Sequence, residues 1–597
     1  MASRAFPSIF GGSASHAEDV VAGQVPLPGQ RQRTQMEARQ RLVVVMVMFF
    51  AVPFVMAARL VDLGVLEAQP VSARAALSSA PPRADIIDRN GVELARTFEA
   101  YSLSVEPRKL ASEPRQLARS IAAILTDKTE EDIYEQLTHR GTFRYIARRV
   151  LPSEAKRIND LGEPAINLGR EAERLYPNFN LAAHVVGYTD DNGRGVSGIE
   201  RSFDERLSSE VGRAQPLQLA IDVRVQQALE HELRQVYIDQ NAQGAVGIVM
   251  DVNTAEVVAM TSLPDFNPNK PGQAGDEGRY NKASFATYEL GSTFKAMTLA
   301  NGIEHGIVPD MRKTWDATRP IQVGRFRIRD DHAKNRWLTA PEVFIHSSNI
   351  GTARIAVETG RDHQRAMLEA LDFLKPVQIE LPERARPQFP SLARWGELSV
   401  MTISYGHGIS VTPLHLASAY ATVVNGGLYR PPTLLKRDTV PEGRRVFSAT
   451  TSEQMRALLR LVVTDGTGRK ANAPGYRVGG KTGTAEKIES GRYVRGANVS
   501  TFAAAFPMDA PRYVVIAMVD DPRGSKESAG FRTAGMVVAP VIGRLVQRIG
   551  PLLGVQPDRS RDLDLTAVRP TPAKTPASVP AITATLPPPP PAPPAEG

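Results

Sequence analysis

"YELGSTFKAM", residues 288–297, places Ser292 and Lys295 three residues apart, after a glycine and inside an otherwise apolar run. A glycine, then serine and threonine, then apolar residues at helical spacing ("GSTFKAMTLANGI") is the pattern of a helix start. Positions i and i+3 share a helix face, so Ser292 and Lys295 are expected to be neighbours. A helix N-terminus directs its N–H groups and positive dipole end toward whatever Ser292 attacks. Burial among Phe294, Met297 and Leu299, with positive charge nearby, would lower the lysine pKa and make Lys295 a base able to activate a serine hydroxyl. The bland reading is Ser292 as a simple N-cap with Lys295 in solvent. A second copy of the spacing, Ser153 and Lys156, lies in the charged stretch "PSEAKRINDL" and reads as an exposed helix face.

Two further triplets decide between the readings. "HSSNIG" (346–351) supplies Ser347-x-Asn349, and "GGKTGTAE" (479–486) supplies Lys481-Thr482-Gly483. S-x-x-K, then S-x-N, then K-T-G is the order found in penicillin-binding proteins and β-lactamases, which are serine acyl-transferases. In that arrangement Ser292 is the nucleophile and Lys295 the base. Ser347 relays a proton to the leaving group, and Asn349 holds the substrate amide. Lys481 adds positive charge that favours an anionic substrate. Strand alternation puts Thr482 and Thr484 on one face, where two hydroxyls can bind a terminal carboxylate. Gly483 is expected to keep the strand from blocking the cleft. The resemblance further implies an oxyanion hole made by the backbone N–H groups of Ser292 and Thr484.

Bulk composition narrows the class. The chain has 597 residues, too many for one ordinary core. It is 42% hydrophobic and 23% charged, with 72 basic and 64 acidic residues giving +8. No dense Lys/Arg block occurs, so nucleic acid is not expected as a partner. A mildly basic balance suits an anionic membrane surface or an anionic polymer. There are no cysteines, which excludes disulfides, thiol catalysis and Cys-based zinc sites. The ten histidines show no H-x-x-H or H-E-x-x-H spacing, so neither a catalytic metal nor another cofactor is expected.

"LVVVMVMFFAVPFVMAA", Leu42 to Ala58, carries no charge and just spans a thin bilayer, with Leu60 and Val61 extending it if Arg59 snorkels. Arg31, Arg33, Arg39 and Arg41 precede it, which places the N-terminus in the cytoplasm and the rest outside. A charged front of 41 residues and the lack of a nearby small-residue cleavage site favour an uncleaved anchor over a signal peptide.

The rest divides by texture. The expected plan is a cytoplasmic segment 1–41, an anchor 42–61, an α+β pedestal 62–215, a catalytic domain 216–550 and a disordered Pro-rich tail 551–597. In the pedestal, "DRNG" is a turn signal between the strands Ile86–Ile87 and "YSLSV" (101–105). "PRQLARSIAAIL" and "TEEDIYEQL" have helical spacing. Arg83, Asp88, Arg174 and Glu200 are charges in mixed or apolar stretches, expected to pair across the pedestal. In the catalytic part, "DVRVQQALEHELRQVY" is an amphipathic helix and "GAVGIVMDVNTAEVVAMTS" (244–262) a hairpin turning at Asn253–Thr254. "STFAAAF" (500–506) and "YVVIAMVDD" (513–521) are further buried strands. The implied fold class is α+β: an antiparallel sheet with helices on both faces and an all-helical subdomain.

Over about residues 40–550 the sequence resembles the class B penicillin-binding proteins, the monofunctional peptidoglycan D,D-transpeptidases. "RADIIDRNG" (83–91), "REAERLYPNFNLAAHVVGY" (170–188) and "GVSGIERSFDERL" (195–207) resemble the three boxes of the family's non-catalytic domain, with Ala84 in place of the usual glycine. "DGTGRKA" (465–471) and "YGHGISVTPLHLASAYATVVNGG" (405–427) resemble its catalytic domain. "YELGSTFK" resembles the septal, FtsI-type subclass, with Glu289 as its marker. The resemblance implies cross-linking of stem peptides on lipid II-derived glycan strands, acylation by β-lactams, and work beside a membrane glycosyltransferase and other divisome proteins in the inner membrane. An elongation-type, side-wall enzyme is the alternative, ahead of a β-lactam sensor or scaffold. Glycosyltransferase activity is not expected, because 62–215 holds the pedestal boxes instead.

Overall fold

The computed structural model describes residues 82–489 and 491–570, together with 43 and 46–51. Among the described residues no helix is long and apolar enough to cross a membrane. The expected anchor at 42–61 lies largely outside them, as do 1–41 and 571–597.

The pedestal sheet is built on one long strand. β1 (Ile86–Ile87) turns through Asn90–Gly91 into β2 (Glu93–Val105). β2 pairs antiparallel with β3 (Arg144–Val150) and β4 (Ile166–Leu175), and β1 pairs parallel with β5 (Leu217–Gln218). The sequence marked only residues 101–105 of β2. Its first half mixes buried Leu94 and Ala95 with the charges Glu93, Arg96 and Glu99 and follows no strict alternation, so strand pairing rather than hydrophobicity defines it. Helices α1 (Pro114–Ala122), α2 (Glu130–Leu137) and α3 (Pro152–Asn159) cover a small core of Leu103, Leu117, Ile121, Ile133 and Ile158. Thr129 caps α2 by accepting from Asp132 N at 3.1 Å. Ser153 and Lys156 lie exposed on α3.

Three of the four pedestal charges meet. Glu200 is fully buried and accepts from Arg83 Nε at 3.0 Å, Arg174 Nε at 2.7 Å and the Tyr176 hydroxyl at 3.3 Å. Arg83 also reaches Asp204 at 2.6 Å. Asp88 stands apart from this cluster. It caps the turn after β1, accepting from the backbone N–H groups of Asn90 (2.7 Å), Val92 (2.9 Å) and Val223 (3.1 Å). The DRNG turn chemistry, in which aspartate bonds the backbone two residues on, accounts for the difference.

The catalytic part is organised by a five-stranded antiparallel sheet. Its members are β6 (Gly244–Asp251), β7 (Val257–Leu263), β8 (Gly479–Glu489), β9 (Arg492–Phe506) and β10 (Tyr513–Asp520), in the order β8-β9-β10-β6-β7. β6, β7 and β10 are buried almost throughout, so they read as continuous apolar runs. One face carries α4 (Val223–Asp239) and a C-terminal helix, α10 (Ala539–Leu552), over Leu229, Leu233, Leu545 and Ile549. The other face packs on α5 (Lys295–Glu304), α7 (Pro413–Val424) and α8 (Ala449–Thr464) through Met297, Leu416, Tyr420 and Leu458. The insert between β7 and β8 is not all-helical. It carries three two-stranded ribbons, including Thr314–Asp316 with Trp337–Thr339 and Ile321–Val323 with Phe326–Ile328.

The tail drawn from 551 also changes. α10 runs to Leu552, and residues 553–570 fold back on the catalytic part, burying Leu553, Val555, Leu565 and Val568. Those scattered apolar residues follow no helical or strand period, so pattern reading missed them.

Candidate active site

The three sequence triplets converge on one edge of the sheet. Residues Gly291–Phe294 form a 3-10 turn, and α5 starts only at Lys295. Residues i and i+3 eclipse in a 3-10 turn, so the Ser292–Lys295 spacing keeps both side chains on one side. The turn is wedged tightly. Gly291 has φ +54°, and a Cβ there would lie 3.0 Å from Thr484 O. A Cβ on Gly406 would lie 2.2 Å from Gly291 O. From behind, the buried Tyr420 hydroxyl donates to Thr293 O at 2.8 Å.

Lys295 is 1% exposed. Its ammonium donates to Ser347 O, to Ser347 Oγ at 3.1 Å and to Asn349 Oδ1 at 2.7 Å. Burial pulls its pKa down to about 7, against the opposing pull of Asp330 and Asp331. Among the described residues, Ser292 Oγ makes no hydrogen bond to Lys295 or to any other protein group. The lysine is held on the S-x-N side of the cleft, and the serine hydroxyl is left free.

Ser347 follows the helix Ala340–Ile345 and sits at φ +58°, a left-handed conformation that turns its side chain into the cleft. Its Oγ is shared by two lysines, because Lys481 Nζ also donates to it at 2.9 Å. Asn349 opens α6 (Asn349–Thr359) and anchors its amide N–H on Arg329 O at 3.0 Å. Lys481 is completely buried on β8, with Thr482 O at 3.0 Å as its other acceptor. Burial first, and then Lys295, push its pKa far below the lysine range. Two lysines thus meet at one hydroxyl, and neither pairs with a carboxylate.

β8 alternates as expected. Lys481 reaches Ser347 from one face. On the other, the Thr482 hydroxyl contacts the Thr467 hydroxyl at 2.7 Å, and Thr484 Oγ1 accepts from Ala534 N at 3.2 Å at the head of α9 (Ala534–Val537). Thr484 Oγ1 accepts from the backbone, so its own proton stays available to a carboxylate ligand. Gly483 also has a task that the sequence did not reveal. A Cβ there would lie 2.5 Å from Leu290 O and 2.9 Å from Thr293 Cγ2, so its glycine lets β8 lie against the serine turn. That packing brings the backbones of residues 291 and 484 together.

Sequence reasoning missed two groups and the structural role of a third, Glu289. Asp330 accepts from the Ser348 hydroxyl (2.7 Å) and from Ile350 N (3.0 Å), fixing the start of α6 and so Asn349. Thr467, in the quoted "DGTGRKA", orients Thr482. Glu289 accepts from Gly408 N at 2.6 Å and from the Tyr493 hydroxyl at 3.0 Å, tying the serine turn to the YGHG loop and the β8–β9 hairpin. Burial raises its pKa. "DD" at 330–331 and the acid before "LGS" were the available signals.

Comparison with known proteins agrees with this geometry. The penicillin-binding protein transpeptidase domain matches residues 245–543, and the penicillin-binding protein dimerisation domain matches 78–228. A probable peptidoglycan D,D-transpeptidase FtsI from Caulobacter vibrioides is 41% identical over 79% of this chain and 82% of its own length. The chain belongs to the class B penicillin-binding proteins, of the FtsI type. A second relative, peptidoglycan D,D-transpeptidase FtsI from Escherichia coli, is 30% identical over 70% of this penicillin-binding protein and 74% of its own length. Among solved structures, penicillin-binding protein 3 from Mycobacterium tuberculosis, complexed with aztreonam, superposes with a TM-score of 0.64 at 25% identity, covering 80% of this chain and 98% of that one. The mixed α+β fold described above is the transpeptidase fold of this family.

Proposed function

We propose that Ser292 is the nucleophile with which this chain, a serine-type peptidoglycan D,D-transpeptidase of septal wall synthesis, forms its acyl-enzyme. The observation that carries this assignment is the Lys295–Ser347–Lys481 chain, in which a buried lysine with pKa about 7 follows Ser292 by three residues across the 3-10 turn. Neutral Lys295 takes the Ser292 proton as Oγ attacks the carbonyl of the penultimate D-alanine. The backbone N–H groups of Ser292 and Thr484 receive the oxyanion. As the amide breaks, Ser347, bonded to both lysines, passes a proton to the departing D-alanine amine. Asn349 holds the substrate amide, while Thr482 and Thr484, with Lys481 behind them, hold the terminal carboxylate. An amine of a second stem peptide then attacks the ester, forming the cross-link and returning the proton to Ser292. A β-lactam enters the same first step, and its opened ring stays attached to Ser292.

The substrate is peptidoglycan built from lipid II-derived strands. Anchoring in the inner membrane with the catalytic part outside is supported by the uncharged stretch Leu42–Ala58 and the arginines before it. The proposed layout keeps 1–41, 42–61, 62–215 and 216–550, with the catalytic part extended to about 570. The FtsI-type relatives support a septal role, and work beside a membrane glycosyltransferase and other division proteins is proposed from the sequence resemblance alone. The test is cross-linking by the full-length protein in detergent on nascent glycan strands. Wild type yields cross-linked dimers and released D-alanine, and Ser292→Ala yields neither. Cross-linking by Ser292→Ala would overturn the assignment.

A further inference from the structure

Residues 556–569 lie beyond the last helix and fasten to the root of the K-T-G strand. Asp558 N donates to Gly475 O at 2.9 Å, and Arg477 Nη1 donates to Asp558 O at 3.0 Å. Asp562 then grips Arg460 in a two-oxygen pair, with Nε–Oδ1 at 2.9 Å. Leu565 and Val568 plug into the main core and fix the end of the segment. Arg460 is 5% exposed on α8, and its Nη1 donates to both Asn472 Oδ1 (2.9 Å) and Val478 O (2.8 Å). Val478 is the residue before Gly479-Gly480-Lys481. At Gly479 the strand meets α8 backbone to backbone, since a Cβ there would lie 2.9 Å from Arg460 N. No slack therefore separates Arg460 from the strand that carries Lys481.

We propose that residues 556–569 are a strap that sets the seat of the K-T-G strand, and that Asp562 is a positioning residue acting on Lys481 through Arg460 and the Val478 carbonyl. Without Asp562, Arg460 is a buried guanidinium whose main charge partner is gone, and it shifts toward solvent or another acceptor. The Val478 carbonyl loses its donor, and the start of β8 loosens. Lys481 Nζ then leaves the 2.9 Å contact with Ser347 Oγ on which proton relay depends. The strap thus couples a surface-accessible segment to the chemistry. The inference rests on the role given to Lys481 above.

The experiment measures acylation of the full-length protein in detergent by a fluorescent penicillin, as a rate constant at saturation and an apparent affinity, alongside melting of the same samples. A displaced catalytic lysine costs rate more than binding, so Asp562→Asn is expected to lower the saturating rate about tenfold or more with apparent affinity changed less than threefold. Asp562→Glu restores most of it, and Leu565→Ala, which loosens the strap without touching Arg460, moves the rate the same way. A chain ended after residue 570 acylates like wild type, whereas one ended after 555 behaves like Asp562→Asn or worse. Equal saturating rates for Asp562→Asn and wild type well below their melting temperatures would overturn the proposal, whatever the melting shift. So would a rate loss that Asp562→Glu does not relieve. Ser292→Ala, measured in parallel, keeps failure of the strap separate from failure of the nucleophile assignment.

Discussion

Two clusters of buried charge sit in this chain and obey opposite rules. In the pedestal, Glu200 lies between Arg83 and Arg174, and Asp204, Thr97 and Tyr176 add further hydrogen bonds to the cluster. In the catalytic part, Lys295 and Lys481 are as deeply buried, yet they share a serine hydroxyl and have only neutral acceptors. The first arrangement pairs opposite charges and ties three sequence-distant boxes into one fold. The second leaves like charges uncompensated, which forces at least one lysine to give up its proton near neutral pH. The matched cluster holds the pedestal together, and the unmatched pair is the one proposed to carry the chemistry.

The comparison breaks first at Lys295. Lys295→Ala should slow acylation by ~10²–10⁴-fold if the lysine is the base, with the melting temperature unchanged or higher because a strained group is removed. Near-normal acylation would remove that role. Glu200→Ala should do the reverse, costing ~3–5 kcal/mol of stability by leaving the buried Arg174 guanidinium without a carboxylate and Arg83 with Asp204 alone. The folded fraction should still acylate normally. Unchanged melting would show that the pedestal cluster is not structural.

A pH series sharpens the contrast. With the folded pKa of Lys295 at about 7, its neutral form is lost below that value. Acylation should fall roughly tenfold per pH unit on the acid side and level off above. The linked stability has the same sign. The unfolded chain takes up the lysine proton where the folded chain does not, so the cost of Lys295 is full below about pH 7 and fades as pH rises toward the free lysine range. Lys295→Met should abolish both trends, and a flat rate profile between pH 5 and 8 would contradict the base assignment.

Gly483→Ala should cost about 1–3 kcal/mol and part of the acylation rate, because the added methyl meets Leu290 O. Smallest of all, Ser153→Ala on the exposed face of α3 should change stability by less than about 0.5 kcal/mol and acylation not at all.

Most of the site was legible because its chemistry is local. Ser292 and Lys295 are set by one turn, Ser347 and Asn349 by one helix junction, and Lys481, Thr482 and Thr484 by one strand. The apolar catalytic strands announced themselves as continuous apolar runs and the helices of the pedestal by their spacing. What stayed hidden is made of long-range pairs that leave no local pattern. Asp330 acts on a helix start 20 residues away, and Thr467 on a strand 15 away. Asp562 reaches Arg460 across 102 residues. The close approach of Gly483 to the serine turn was hidden for the same reason, since the atom that requires a glycine there belongs to Leu290. Asp88 was grouped with the buried pairs on charge alone, although the turn it precedes already specified a capping role.

The account stands on Ser292 being the one residue acylated. Full-length protein treated with a penicillin and measured by intact mass should gain a single adduct per chain. Peptide mapping should place it within residues 288–297, and Ser292→Ala should gain none. An adduct that persists in Ser292→Ala, or that maps to Ser153 or Ser347, would contradict it.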